Sequence, residues 1–209
     1  IGSWSWGPLG WRFVYADGGF PANTSAVLDA QIYRFDPSGY IRTGWAYDSG
    51  SWYYHAPTGE QVSGWVRDAF SWYYLDPASG AMVTGWILEG GSWYYLAPGS
   101  GAMATGWQRV DGTWYYLDPA SGAMVTGWLL EGGSWYYLAP GSGAMATGWQ
   151  RVDGTWYYLD PVSGAMVTGW LLEGGSWYYL APGSGAMATG WQRVDRTWYR
   201  FADTGRWLG

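Results

Sequence analysis

The 209-residue sequence contains no cysteine, no lysine and only one histidine, His55. Without cysteine there is no disulfide scaffold and no thiol nucleophile. One histidine, in "WYYHAP" where sister segments carry Leu, supports neither a Ser-His triad nor a histidine-based metal site. No metal and no cofactor is expected. Ten arginines, spread almost entirely as single residues, give no basic face of the kind nucleic acid requires. No stretch of about 18 or more apolar residues is present, so no membrane insertion is expected. No signal peptide is seen either, and the chain opens at Ile1, which reads as a processed product or an excised piece. Leu, Ile, Val and Phe together supply only 34 residues. Such scarcity accompanies disorder when charge is high, but charged residues are 12% and the net charge is −6.

What fills the gap is aromatic: 20 Trp and 19 Tyr, with Phe bringing the aromatic share to 21%. Each ring can bury on the order of 150–250 Å², so rings take over the packing that aliphatic side chains usually do. The 35 glycines argue for many tight turns.

The rings recur with a period. Gly-Trp pairs place Trp45, Trp65, Trp86, Trp107, Trp128, Trp149, Trp170 and Trp191 at spacings of 20 and then 21 residues. Seven residues after each comes the Trp of a triplet: Trp52, Trp72, Trp93, Trp114, Trp135, Trp156, Trp177 and Trp198. Residues 86–127 and 128–169 differ only at Ile87/Leu129 and Ala120/Val162. Two subtypes alternate, "WLLEGGSWYYLAPGSGAMATG" and "WQRVDGTWYYLDPASGAMVTG". This regularity predicts an all-β repeat solenoid of stacked β-hairpins. Residues 1–31 form a divergent N-terminal capping region. Residues 32–209 hold the tandem repeats, the last of them a C-terminal cap.

Asp111-Gly112 between β-prone runs is a strong type I′ hairpin signal, and Gly90-Gly91 and Gly132-Gly133 serve the other subtype. Ala69-Phe70 is a poor substitute, so that hairpin is expected to turn differently. A two-residue turn pairs Val110 with Thr113, Arg109 with Trp114 and Trp107 with Tyr116. Trp107, Arg109, Trp114 and Tyr116 then share one face; Gln108, Val110, Tyr115 and Leu117 share the other. Val110, Tyr115 and Leu117 are expected to line the interior, and the Trp-rich face to meet the next hairpin. In the linkers, Asp118-Pro119 starts a turn and Gly122 is free to take a positive φ.

Rings in strands ordinarily mean cross-strand packing. Packing tolerates Leu, Ile or Val, however, and the two Trp positions almost never accept them. Three electron-rich faces converging at the seam between hairpins make an aromatic cage, suited to a quaternary ammonium held by cation–π attraction. The third ring of each cage is expected from Tyr74, Tyr95, Tyr116, Tyr137, Tyr158 and Tyr179. Met82, Met103, Met124, Met145, Met166 and Met187 supply either a polarisable wall or simple gap-filling. Asp118, Asp160 and Glu131 recur with the repeat and read as turn residues that bias the surface toward cations, not as paired catalytic carboxylates.

The unit "GWxxxxGxWYYLxxxxGxMxTGW", as in Gly106–Trp128, resembles the choline-binding or cell-wall-binding repeat of pneumococcal surface proteins, autolysins and phage lysins. The resemblance runs from about Ile32 to Trp207. The segments "GWRFVYADGGFPANTS" and "AQIYRFDPSGYIRTGW" look like degenerate opening repeats. It implies choline held between successive repeats by two Trp of one and a Tyr of the next, with Met or Leu alongside. Carried over, Trp86 and Trp93 would join a Tyr of the 114–116 triplet; register favours Tyr116, with Tyr115 the alternative. Ile32-Tyr33-Arg34 lacks the Trp and Trp198-Tyr199-Arg200 lacks the last Tyr, so both ends read as caps with impaired sites. The implied protein is a non-catalytic, extracellular module that anchors a secreted protein to choline-bearing teichoic acid on a bacterial surface. Similar repeats elsewhere bind α-glucans, so a glycan-binding module is the alternative ligand class. A purely structural spacer is the third reading.

Overall fold

The turn dipeptides set the local structure. Asp111 and Gly112 adopt φ of 48° and 83°, and Gly132 and Gly133 adopt 58° and 80°. These are the two consecutive left-handed residues a type I′ turn needs to match strand twist. The pairing follows as expected, with Val110 opposite Thr113, Arg109 opposite Trp114 and Trp107 opposite Tyr116. Ala69-Phe70 turns differently, as expected, with only the first of the two residues left-handed. Ala69 takes a φ of 51° and Asp68 pairs with Ser71, so this hairpin keeps the register of its neighbours. A single left-handed alanine costs roughly 1–2 kcal/mol, less than the packing that regular register preserves.

The computed structural model describes residues 2–209, all strand, turn or irregular chain. The chain divides into two units, residues 1–104 and 105–209. The first unit holds five hairpins: β1 (Gly2–Gly7) with β2 (Gly10–Tyr15), β3 (Ser25–Leu28) with β4 (Gln31–Arg34), and β5 (Gly44–Asp48) with β6 (Ser51–His55). It continues through β7 (Gly64–Asp68) with β8 (Ser71–Leu75) and β9 (Gly85–Glu89) with β10 (Ser92–Leu96). The second unit pairs β11 (Gly106–Val110) with β12 (Thr113–Leu117), β13 (Gly127–Glu131) with β14 (Ser134–Leu138) and β15 (Gly148–Val152) with β16 (Thr155–Leu159). It closes with β17 (Gly169–Glu173) paired to β18 (Ser176–Leu180) and β19 (Gly190–Val194) paired to β20 (Thr197–Phe201). The division at 31/32 between capping region and repeats falls inside β4, whose partner β3 precedes it.

Each hairpin is its own two-stranded sheet. Because isolated hairpins are marginal in water, stability must come from stacking, and within each unit the linkers provide it. In "DPASGAMVTG" the Asp118 carboxylate accepts from the backbone N–H of Ala120 and Ser121 and from the Ser121 hydroxyl. Gly122 takes a φ of 76°. The chain then runs back beside its own hairpin, Val125 N–H donating to the Tyr116 carbonyl at 2.8 Å. Met145 N–H meanwhile reaches the preceding hairpin and donates to the Trp114 carbonyl at 2.8 Å. The Met145 thioether occupies the space that a Cβ on Gly164 would fill, so the linker glycine is required both for its φ of 74° and for this close approach.

In each unit the core is a column, to which every hairpin after β1–β2 gives one side chain no more than 2% exposed. Leu117, Leu138, Leu159, Leu180 and Phe201 form it in the second unit; Phe35, His55, Leu75 and Leu96 form it in the first. Leu117 therefore lies where the sequence placed it. Val110 and Tyr115 are only half-buried, and Tyr116 is the buried tyrosine of its triplet. His55 holds its column position because its Nδ1 lies 3.1 Å from the Gly59 carbonyl, which satisfies it. Burial pushes its pKa below the ordinary value, which keeps the ring neutral in the core.

Candidate functional site: aromatic cages between hairpins

Alternation along a strand sends successive side chains to opposite faces. In β11–β12, Trp107 and Trp114 share a face, 6.4 Å apart and mutually perpendicular at 90°. The next hairpin meets them with Tyr136, whose ring lies 5.0 Å from Trp107. Met145 completes the enclosure, and Val162 and Ser163 of a linker one repeat further on form its lip. The cavity is about 320 Å³. Trp128, Trp135, Tyr157 and Met166 enclose a second of about 280 Å³, with Gly183 and Ser184 at the lip. Trp149, Trp156, Tyr178 and Met187 enclose a third of about 250 Å³, with Thr204 at the lip. In the first unit Trp45, Trp52 and Tyr73 repeat the ring geometry, as do Trp65, Trp72 and Tyr94.

The structure brings the predicted Trp pairs together in every interior repeat from Trp45 to Trp177. Trp86 and Trp93 stand 6.5 Å apart, and Trp170 and Trp177 6.2 Å. The methionines sit at the seams: Met82 and Met103 donate backbone N–H to Trp52 and Trp72, and Met145, Met166 and Met187 line cavities. Met124 bridges to Leu117 and packs over Gly143.

The tyrosine assignment needs correction. Register assigns the third ring to the last Tyr of each triplet; in the described seams it is the middle one. Tyr74, Tyr95, Tyr116, Tyr137, Tyr158 and Tyr179 instead pack on the first Trp of their own hairpin at 5.0–5.2 Å. The reason is the direction of stacking. Hairpins within a unit are arranged head to tail, so the Trp face of one meets the opposite face of the next, and the middle Tyr is on that opposite face.

Sequence reasoning also missed Trp207. Its N–H donates to the Trp177 carbonyl at 2.8 Å, the bond Met145 makes to Trp114, and its ring lies 6.1 Å from Trp170. Trp207 thus stands in for methionine beside Trp170, Trp177 and Tyr199. Aligning Gly205-Arg206-Trp207 with Gly143-Ala144-Met145 would have found it. At the terminal hairpin, Trp191 and Trp198 are 62% and 61% exposed, and the Arg200 guanidinium lies over Trp191, at 6.0 Å.

Acidic side chains recur at the seams. Tyr74 Oη–H donates to Glu89 at 2.9 Å, and Glu131 and Glu173 act on the Tyr116 and Tyr158 phenols. The Glu89 hydrogen bond is the main cause that raises the Tyr74 pKa; for Tyr116 and Tyr158 desolvation leads and the glutamate follows. Arg34 occupies the same triplet position and pairs with Asp48, while Trp45 Nε1–H donates to Asp68 at 2.9 Å. Where Val152 stands in place of the acid, its side chain offers no acceptor for such a bond. The Asp76, Asp118 and Asp160 carboxyls are held below the ordinary range by the linker N–H and hydroxyl donors.

Known proteins share this architecture. The choline-binding repeat matches residues 42–84, 62–106, 104–147 and 146–189, and the putative cell wall binding repeat matches 189–206. No match is found among curated proteins. Among solved structures, choline binding protein F from Streptococcus pneumoniae, in the presence of a peptidoglycan analogue, is 38% identical with a TM-score of 0.81, covering 95% of this chain and 76% of that one. CbpJ from Streptococcus pneumoniae TIGR4 is 31% identical with a TM-score of 0.71, covering 100% and 94%. The choline-binding domain of CbpL from Streptococcus pneumoniae is 32% identical with a TM-score of 0.59, covering 80% and 87%. Hairpins, perpendicular Trp pairs and linker register therefore place this chain in the choline-binding repeat family, as a cell-wall-binding module.

Proposed function

We propose that the chain binds choline groups in the cages between its hairpins and so anchors an extracellular protein to choline-bearing teichoic acid, with no catalysis of its own. One observation carries this reading: the three cavities are walled by two perpendicular Trp rings, a Tyr and a Met, with no ionisable side chain among their lining apart from the tyrosine. Such a wall offers a cation ring faces and a thioether but no carboxylate. A trimethylammonium group has no N–H to leave unpaired, and each ring face in contact contributes about 0.5–2 kcal/mol. Choline binding protein F has been solved in the presence of a peptidoglycan analogue, in keeping with a cell-wall ligand. Several weak cages on one chain would add by avidity when the polymer carries many choline groups.

A glycan-binding use of the same rings asks for flat, accessible platforms. Here each exposed Trp stands at roughly a right angle to its partner (86–90° in the second unit), which favours a compact cation over a sugar face. Titration with choline, with dextran in parallel, followed by Trp fluorescence and thermal unfolding, tests the reading. Choline should quench or shift the emission saturably and raise the melting temperature, because a ligand of the folded state stabilises it. A response to dextran with none to choline would overturn it.

A further inference from the structure

The lips of the cages are not equivalent. At the Trp107/Trp114 cage the lip is Val162-Ser163; at the Trp128/Trp135 cage it is Gly183-Ser184. Both come from a linker two hairpins beyond the Trp pair, so each site draws on three successive repeats. The two linkers differ in charge. Asp160 accepts from the N–H of Val162 and of Ser163, and from the Ser163 hydroxyl at 2.8 Å, which fixes a carboxylate directly behind that lip. Its counterpart is Ala181, which has no side-chain acceptor; Ser184 N–H turns to the Ala181 carbonyl and its Oγ accepts from Ala186 N–H. The Ser163 hydroxyl proton is thus committed to a carboxylate, whereas that of Ser184 has none beside it.

We propose that the alternating linkers sort the cages into two ligand classes: the Trp107/Trp114 cage prefers a bare quaternary ammonium, while the Trp128/Trp135 cage also accepts one carrying a phosphate ester. This rests on the reading of the cages as choline sites. A phosphate attached to choline finds hydroxyl and backbone groups at the lip, since the other walls are rings and thioether. At the first lip it approaches a hydroxyl whose proton is given to the Asp160 carboxylate behind it. At the second it meets no carboxylate and a hydroxyl able to donate. The linker aspartate is held below the usual carboxylate range by its donors and stays charged at neutral pH.

The test is fluorine NMR of the full chain labelled with fluorotryptophan, the Trp114 and Trp135 signals being assigned by Trp114→Phe and Trp135→Phe. Choline chloride and phosphocholine are titrated separately at low salt. Choline should shift both signals with similar affinity. Phosphocholine should bind at Trp135 roughly two- to fivefold more tightly than at Trp114 once each is normalised to choline, the scale of one exposed charge contact. Asp160→Asn, which keeps the Oδ1 acceptor and so the linker turn, should close that gap; Ala181→Asp should weaken phosphocholine at Trp135 and leave choline unchanged. Equal normalised affinities at the two signals, or a gap indifferent to both substitutions, would overturn the sorting and leave the choline reading intact. No response to choline at either signal would overturn both.

Discussion

The hairpin β19–β20 and the interior hairpin β15–β16 of the same unit begin with the same residues, Gly-Trp-Gln-Arg-Val, and carry the same Trp pair seven apart. Their Trp pairs nonetheless live in different surroundings. Trp156 is 40% exposed and lines an open-sided cavity, while Trp198 is 61% exposed. What separates them is the tyrosine that β17–β18 lays against Trp149, together with the methionine of its linker, which Trp191 and Trp198 lack among the described residues. The cage is therefore a property of the seam, and a hairpin supplies only half of one. That is the expected behaviour of a quasi-one-dimensional stack, where each repeat is completed by its neighbour.

If seams are what count, damaging the column beneath one should make an interior site resemble the terminal one. Leu138→Ala empties a fully buried position and should cost about 2–5 kcal/mol. Trp107 and Trp114 should then become as open to acrylamide quenching as Trp191 and Trp198, visible in chains keeping only one such pair as reporter. Smaller in effect, Tyr136→Ala leaves the Trp107/Trp114 pair without its facing ring. Choline affinity at that cage should fall by the equivalent of roughly 0.5–2 kcal/mol, with the Trp128/Trp135 cage unchanged, as a site-resolved titration would show. Smaller again, Tyr74→Phe removes the hydroxyl that donates to Glu89 and should lower stability by about 1 kcal/mol in a denaturant melt, without changing choline binding.

The pH dependence sharpens the same contrast between seam types. Tyr74, Tyr116 and Tyr158 have phenols raised above their ordinary value, by the Glu89 bond for the first and chiefly by desolvation for the others. A group whose folded pKa is raised contributes stability that is full below its unfolded value, about 10 for tyrosine, and is lost as pH rises through the folded one. The melting temperature should therefore fall above about pH 10. A triple variant with Phe at positions 74, 116 and 158 should show a shallower fall.

Much of this was legible in the residues. Asp-Gly and Gly-Gly dictate left-handed turns, the turns dictate register, and register puts Trp107 and Trp114 on one face. The choice of tyrosine was not legible, because strand alternation describes a single hairpin and is silent on which face the next one presents. Only the head-to-tail stack reveals that Tyr136 faces Trp107 while Tyr137 turns back on Trp128. Ala69-Phe70 does turn differently, with Ala69 alone left-handed, while the strands on either side keep the register of their neighbours. Trp207 was hidden by its residue type, since a Trp in a methionine's place breaks the repeat pattern while keeping its backbone role.

The claim that the middle tyrosine closes the cage is tested most directly by a crystal structure of the chain with choline bound. The account predicts the ammonium nitrogen within about 6 Å of the ring centres of Trp107, Trp114 and Tyr136, with the Met145 thioether alongside. A nitrogen seated instead against Tyr116 or Tyr137, or away from the seams altogether, would contradict it.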